Sequence, residues 1–469
     1  MYNYDSLTRI ARDAILQIND FKQAQNILDN IPKDIFEEVS LTALSNYAEA
    51  IKHMMSFSNA IQKFYCNVQL ERITISICRD ALHRNLSQER PEYTQDELYG
   101  IIDVLTDIAS VYYDQSELNT AMDIQKTIDM LKKYLTHSDE PELDDSYFDL
   151  VNTYIAKCDY ENAMKRLIKA QQVREEKFHK NSPEMASVYY YMAVVNRKIG
   201  KYDDAEYLNK EALDIRKNTL GLTHRDTASS YHELANVYSD MGKYKEGLLF
   251  CKNALEIREA LFGIRHPSSA ESYNTMAGLY QTMGDYPSAE KYYQNALEIR
   301  EQVLGTEHPD TADTYNDIAG VYQDMGDYGK ALEYYNKAME IREQVLGTEH
   351  PDTATTYDNI AGVYRAMGDY DKALEYYNKA MEIREQVLGT EHPHTAATYN
   401  NIAGVYQDMG EYDKALEFFN KALAIVEKVL GTEHPSTARI YKNIASLYHD
   451  MGDEKKAQKY NLKAEGLQG

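Results

Sequence analysis

Seven glycines, Gly200, Gly242, Gly284, Gly326, Gly368, Gly410 and Gly452, stand 42 residues apart, a spacing that calls for stacked similar units in place of one compact core. A second series, Gly221, Gly263, Gly305, Gly347, Gly389 and Gly431, keeps the same period. So do the prolines at Pro141, Pro183, Pro267, Pro309, Pro351, Pro393 and Pro435, with Arg225 in the one vacant place. A fixed period in this range marks a solenoid, in which each unit buries its apolar face only against its neighbours. The 469-residue length then reflects repetition, not several compact domains.

Within a period the pattern reads helix, turn, helix. In the unit from Pro351 to Gly389, Pro351 suits a first helical turn and Asp352 favours the positive helix end. Tyr357, Ile360, Ala361 and Tyr364 then fall on one helical face. Gly368 predicts a left-handed turn and Asp369 a cap for the second helix. Ala373, Tyr377 and Ala380 form that helix's inner face, the small alanines permitting close approach and the tyrosines filling the remaining space. Helices of this length are marginal alone and need neighbours. The 41 tyrosines are therefore mostly repeated core residues.

These residues match the spacing of the tetratricopeptide repeat, and the Leu346-Gly347-x-x-His350-Pro351 junction with its 42-residue period resembles the kinesin-light-chain type. The resemblance implies an all-α fold, a right-handed α-solenoid of stacked helix-turn-helix hairpins. Carrying the register backwards gives about nine repeats over 94–469, most regular from 183 to 452. The earlier units hold Tyr189, Ala193, Gly200 and Ala205; Tyr147, Tyr154, Cys158 and Ala163; and Ile108, Ala109, Tyr112 and Ala121. Cys158 and Ser116 stand at the turn-glycine position, which leaves those turns' geometry open. Asn209 and Asn461 stand where a large core residue is expected, Asn461 in a last helix polar enough to be a solvent-facing cap. Residues 1–93 lack the glycine turns and read as divergent hairpins or a cap. A separate effector or DNA-binding module there would lack a basic recognition helix.

With 75 Asp+Glu against 50 Lys+Arg, the net charge of −25 repels nucleic acid and anionic membranes. The start of the chain lacks a basic and apolar leader, and no apolar run approaches the roughly 18 residues of a membrane span. A cytoplasmic protein is expected, with Cys66, Cys78, Cys158 and Cys251 reduced. No phosphate-binding, zinc-protease or serine-hydrolase motif is present, so no catalytic residue, metal or cofactor is expected. His266, His308, His350, His392 and His434 recur once per repeat before the periodic proline, which suits helix capping better than metal binding.

Residues 306–347 and 348–389 differ only at Asp313/Thr355, Asn316/Asp358, Asp317/Asn359, Gln323/Arg365, Asp324/Ala366 and Gly329/Asp371. By resemblance, positions 355, 358, 365 and 366 line the concave groove that receives partner segments. Drift after duplication is the competing account. The resemblance places His232, Asn236, Asn274, Gln281, Asn316, Gln323, Asp324, Asp358, Arg365, Asn400, Gln407, Asp408 and Lys442 in a partner-binding groove. Kinesin-light-chain grooves similarly use asparagines, and Lys442 with Ser446 faintly matches the carboxylate clamp of chaperone-binding relatives. Gly278, Gly320, Gly362 and Gly404 would open the groove floor to a ligand backbone, since glycine inside a helix costs about 1 kcal/mol. Asp240, Asp324, Asp408 and Asp450 make the groove acidic, so a basic or mixed-charge protein or peptide partner is expected. The function implied is a non-enzymatic scaffold or adaptor, regulating a separate effector such as a protease, toxin or signalling protein. The alternative is a peptide-sensing regulator that changes superhelix shape and acts through its N-terminal helices. Oligomeric state is left open.

Overall fold

The structure, a computed structural model, describes residues 147–466 continuously and scattered helical positions between 102 and 129. The expected boundary at residue 93, the hairpins of 1–93 and the turn at Ser116 lie outside the described residues. The chain divides into two compact units, Met1–Thr153 and Tyr154–Gly469. Among the described residues every regular element is helical. Helix α1 spans Tyr147–Ala156 and α2 Tyr160–Lys177. Seven hairpins follow: α3 (Pro183–Lys198) with α4 (Tyr202–Thr219), α5 (Arg225–Asp240) with α6 (Tyr244–Phe262), and α7 (Pro267–Thr282) with α8 (Tyr286–Val303). Then come α9 (Pro309–Asp324) with α10 (Tyr328–Val345), α11 (Pro351–Ala366) with α12 (Tyr370–Val387), α13 (Pro393–Asp408) with α14 (Tyr412–Val429), and α15 (Pro435–Asp450) with α16 (Glu454–Glu465). They stack as a right-handed α-solenoid.

Local chemistry sets each boundary. From α7 on, the first helices start at the periodic proline and the preceding histidine caps them: the Asp352 N–H donates to His350 Nδ1 at 3.1 Å, with equivalents at His266, His308, His392 and His434, while His224 caps α5 ahead of Arg225 and Ser182 caps α3. The turn between helices closes through Gly368 at φ 80°, where the Asp369 N–H reaches Tyr364 O at 2.9 Å. Asp369 then accepts from the Lys372 N–H at 3.3 Å, capping the second helix as its position predicts. Cys158 adopts the same left-handed turn at φ 56°, with the Asp159 N–H on Tyr154 O at 2.9 Å, so the turn survives without glycine.

The core follows the repeat letters. Ala361, Ala373 and Ala380 have no exposed surface, and Tyr377 is buried among them. Tyrosine serves better than phenylalanine at the edge of this core because its hydroxyl reaches a carboxylate: Tyr357 donates to Glu343 and Tyr399 to Glu385, each at 2.6 Å. Arginines clamp hairpin to hairpin. Buried Arg342 donates through Nη1 to Asp352 O at 2.9 Å and Thr356 Oγ1 at 2.6 Å in the next hairpin. Arg258, Arg300 and Arg384 make the same double contact. Asn209 is buried and its amide donates to Ser230 O at 3.0 Å, replacing apolar filling by a bond to the next helix.

The array also meets itself one superhelical turn later. Each capping Nδ1 accepts a hydrogen bond, so the proton sits on Nε2. His434 Nε2 donates to Lys198 O at 3.2 Å, and His392 Nε2 lies 3.6 Å from Cys158 Sγ. A Cβ on Gly200 would stand 3.0 Å from Pro435 Cδ.

Candidate partner-binding groove

The thirteen groove residues expected from the sequence lie on first helices, and most of them fall into two stripes. The first is the eighth residue of each helix: His232, Asn274, Asn316, Asp358, Asn400 and Lys442. The second holds Gln281, Gln323, Asp324, Arg365, Gln407 and Asp408 at the helix end. Asn236 lies between the stripes, its amide 3.4 Å from Glu233 Oε2.

Neither stripe is a set of isolated side chains. Along the first, Asn274 donates to Asp317 at 2.6 Å, Asn359 to Asn316 at 3.0 Å, Asn401 to Asp358 at 3.5 Å and Asn443 to Asn400 at 2.8 Å. Along the second, Gln281 donates to Asp324, Arg365 to Asp408 and Gln407 to Asp450, each at 2.6 Å, and Arg197 to Asp240 at 3.0 Å. Each of these rungs spans 43 residues, joining one repeat to the next. Gln323 faces Ala366 in this register and instead accepts from Tyr335 OH at 3.0 Å.

Two expectations about this surface change. Three of the four first-helix glycines, Gly320, Gly362 and Gly404, face a polar side chain of the preceding repeat, whereas Gly278 has only the Tyr293 hydroxyl of its own repeat nearby, at 3.5 Å. A Cβ on Gly320 would stand 3.4 Å from Gln281 Nε2, one on Gly362 3.5 Å from Gln323 Nε2, and one on Gly404 2.7 Å from the Arg365 guanidinium carbon. Only at Gly404 is the space taken outright, by the Arg365 guanidinium of the preceding repeat. Asp358 is not an exposed groove contact but a buried carboxylate, with Arg384 Nη1 2.8 Å from its Oδ2.

Burial shapes the electrostatics. Burial, reinforced by Asp313, pushes the Asp317 carboxyl up to about 7, against the Asn274 amide and the Arg300 and Arg342 charges. Burial pushes His232 down to about 4, partly offset by Glu271, whose Oε1 lies 3.5 Å from His232 Nε2. Asp324 and Asp450 are exposed and take their rung bonds from neutral amides, whereas Asp240 and Asp408 face arginines. Lys442 is exposed beside a cavity of about 520 Å³ that also borders Ser446, His449 and Asn461 at the last hairpin. His392 and His394 stack at 5.2 Å, but His392 Nδ1 is used as a cap. No group of three or more potential metal ligands occurs among the described residues. No helix among them is long and apolar enough to cross a membrane.

The 42-residue period hides the rungs, because the partners sit one residue further on. The legible signal was complementarity at 43: Arg197 with Asp240, Gln281 with Asp324, Arg365 with Asp408, Gln407 with Asp450.

A search of curated proteins finds no match. Among solved structures, BtubC (BKLC) from P. vanneervenii is 25% identical, with a TM-score of 0.41, covering 48% of this chain and 91% of its own. A Podosopora anserina kinesin-light-chain-like protein with nearly identical TPR-like repeats is 27% identical, with a TM-score of 0.36, over 44% of this chain and 97% of its own. A Rap protein complexed with Competence and Sporulation Factor shares the fold at 14% identity and a TM-score of 0.53, over 78% of this chain and 98% of its own. The tetratricopeptide-repeat profile matches residues 143–218, 226–302, 270–344, 310–386, 352–425 and 394–467. With the hairpins, turns and caps of that pattern throughout, the chain belongs to the tetratricopeptide-repeat family.

Proposed function

We propose that the protein is a non-enzymatic interaction scaffold whose groove binds a basic or mixed-charge segment of a partner protein, and through it regulates a separate effector. The observation that carries this reading is the electrostatic state of the second stripe. Asp324 and Asp450 are exposed carboxylates held in place by neutral amides, so their orientation is fixed while their charge is left for another molecule. A partner lysine or arginine would meet them without the cost of breaking an existing ion pair. Fold sharing with a Rap protein complexed with Competence and Sporulation Factor is consistent with a solenoid that receives a ligand.

The test uses Asp324→Asn with Asp450→Asn, since asparagine keeps the oxygen that accepts the rung amide and removes only the charge. The natural partner, captured with the wild type and confirmed by reconstitution, is titrated at two salt concentrations. The double variant should bind at least tenfold more weakly and lose most of the salt dependence. Unchanged affinity would place the interaction on another surface.

The contacts from the His392 and His434 junctions to Cys158 and Lys198 favour a second reading. A peptide in the groove that strengthens or breaks this closure would change superhelix shape and so act as a signal. A sensor should change its radius of gyration in X-ray scattering on binding the peptide; a scaffold should keep a constant shape.

A further inference from the structure

Two consecutive repeats depart from the junction pattern at the same places. After the helix-ending glycine, four junctions read Thr-Glu: Thr306-Glu307, Thr348-Glu349, Thr390-Glu391 and Thr432-Glu433. The junctions after Gly221 and Gly263 read Leu222-Thr223 and Ile264-Arg265. Leu222 and Ile264 are 61% and 62% exposed, so they contribute little to any core. The turn does not require them, because Gly221, Gly263 and Gly305 take nearly the same φ of 94°, 90° and 97°. Between them α6 ends one residue later than its counterparts, and Phe262 is exposed with its ring stacked on His266 at 4.7 Å, beside Leu261, whose counterparts Val303 and Val387 are exposed as well.

The charge changes at the same point. Residues 221–226 and 263–268 hold Arg225 and Arg265 against the single carboxylate Asp226, which approaches Arg225 at 3.7 Å. The corresponding segments 305–310 and 347–352 hold Glu307, Asp310, Glu349 and Asp352 with no arginine. On a chain of net charge −25, the equivalent junctions of these two consecutive hairpins carry exposed apolar side chains next to exposed arginines. Large exposed apolar side chains grouped in this way mark interaction surfaces, whereas scattered ones do not. Complementarity then sets the occupant: aliphatic or aromatic side chains to cover Leu222, Leu261, Phe262 and Ile264, and carboxylates to meet Arg225 and Arg265.

We infer that this junction edge is a second docking surface, for a partner segment that combines acidic with aliphatic or aromatic side chains. Its charge preference is opposite to that of the groove, so the two surfaces take different segments, and the inference stands whether or not the groove reading does.

The test converts the edge to the sequence of the later junctions with Leu222→Thr, Ile264→Thr and Arg265→Glu. The residues are exposed, so the melting temperature should stay within about 1–2 °C of the wild type. A random twelve-residue peptide phage library is selected on the wild-type chain and depleted on the triple variant. Retained peptides should be rich in Asp and Glu with Leu, Ile or Phe, and synthetic copies should bind the wild type at least tenfold more tightly than the variant. Those copies should bind equally well to Asp324→Asn/Asp450→Asn, which separates this surface from the groove. No variant-sensitive peptides, or retained peptides that are basic, would overturn the inference. Sedimentation that shows a wild-type dimer and a monomeric variant would also overturn it, by assigning the edge to a second copy of this chain.

Discussion

The Arg365 guanidinium occupies the space above Gly404, where its Nε donates to Asp408 Oδ2 at 2.6 Å. Gly362 sits at the same point of the preceding repeat, but under the slimmer Gln323 amide, at 3.5 Å from an added Cβ. Gly362→Ala should therefore gain helix propensity, stabilising the array by up to about 1 kcal/mol. Gly404→Ala must displace Arg365 and break its rung, so it should be neutral or destabilising. Urea denaturation of the two variants checks the opposite signs.

His434 has two uses, as a helix cap and as the donor to Lys198 O. His308 is a cap with the same geometry, 3.1 Å from the Asp310 N–H. Both alanine variants should lose about 1 kcal/mol locally. Only His434→Ala should also speed hydrogen exchange at the 200–202 turn, more than 200 residues away in the chain.

The same imidazoles make the closure sensitive to acid. Burial, with the neighbouring His394, lowers His392 to about 4 against a bond to the Ala156 backbone; burial lowers His434 and outweighs its bond to Lys198 O and the Asp240 charge, which act the other way. A histidine whose proton affinity falls on closure stabilises the closed form above its ordinary value near 6.5. That contribution is lost progressively as pH drops towards 4. Scattering should show expansion between about pH 6 and 4, and His392→Ala with His434→Ala should already be expanded at pH 7.5.

Asp317 behaves in the opposite sense. Its folded carboxyl titrates near 7, above its unfolded value, so the folded state holds the proton more tightly and stability falls as pH rises between about 4 and 7. Asp317→Asn keeps the oxygen that Asn274 donates to and matches Asn359 and Asn401 at the same repeat position. It should stabilise the array by on the order of 1–3 kcal/mol at pH 8, with no gain at pH 4. Melting curves at the two pH values decide this.

The repeat was legible because glycine and proline act locally. Gly368 is tied to a positive φ and Pro351 to a first helical turn, whatever surrounds them. The capping role of His350 followed from its position before that proline. The rungs that end on an aspartate leave a trace at a spacing of 43, but the bond between Asn316 and Asn359 leaves none, because it depends on how two helices lie, which no local preference encodes. For the same reason Asp358 was placed in the groove, although Arg384 draws it inward. Cys158 shows the limit of local reading in the other direction, since its turn forms at φ 56° despite the side chain.

The 43-residue rungs give the order of the repeats a physical meaning. The hairpins at 306–347 and 348–389 have the same core and would each fold as well in the other's place. Exchanged, however, they would set Asp358 of one against Asp317 of the other, two carboxylates where the present order pairs Asn316 with Asn359. Recombination between such similar segments is thus penalised at the seam, not inside the tiles. The near-identical repeats are words in a fixed sentence, and their few differences keep the sentence in order.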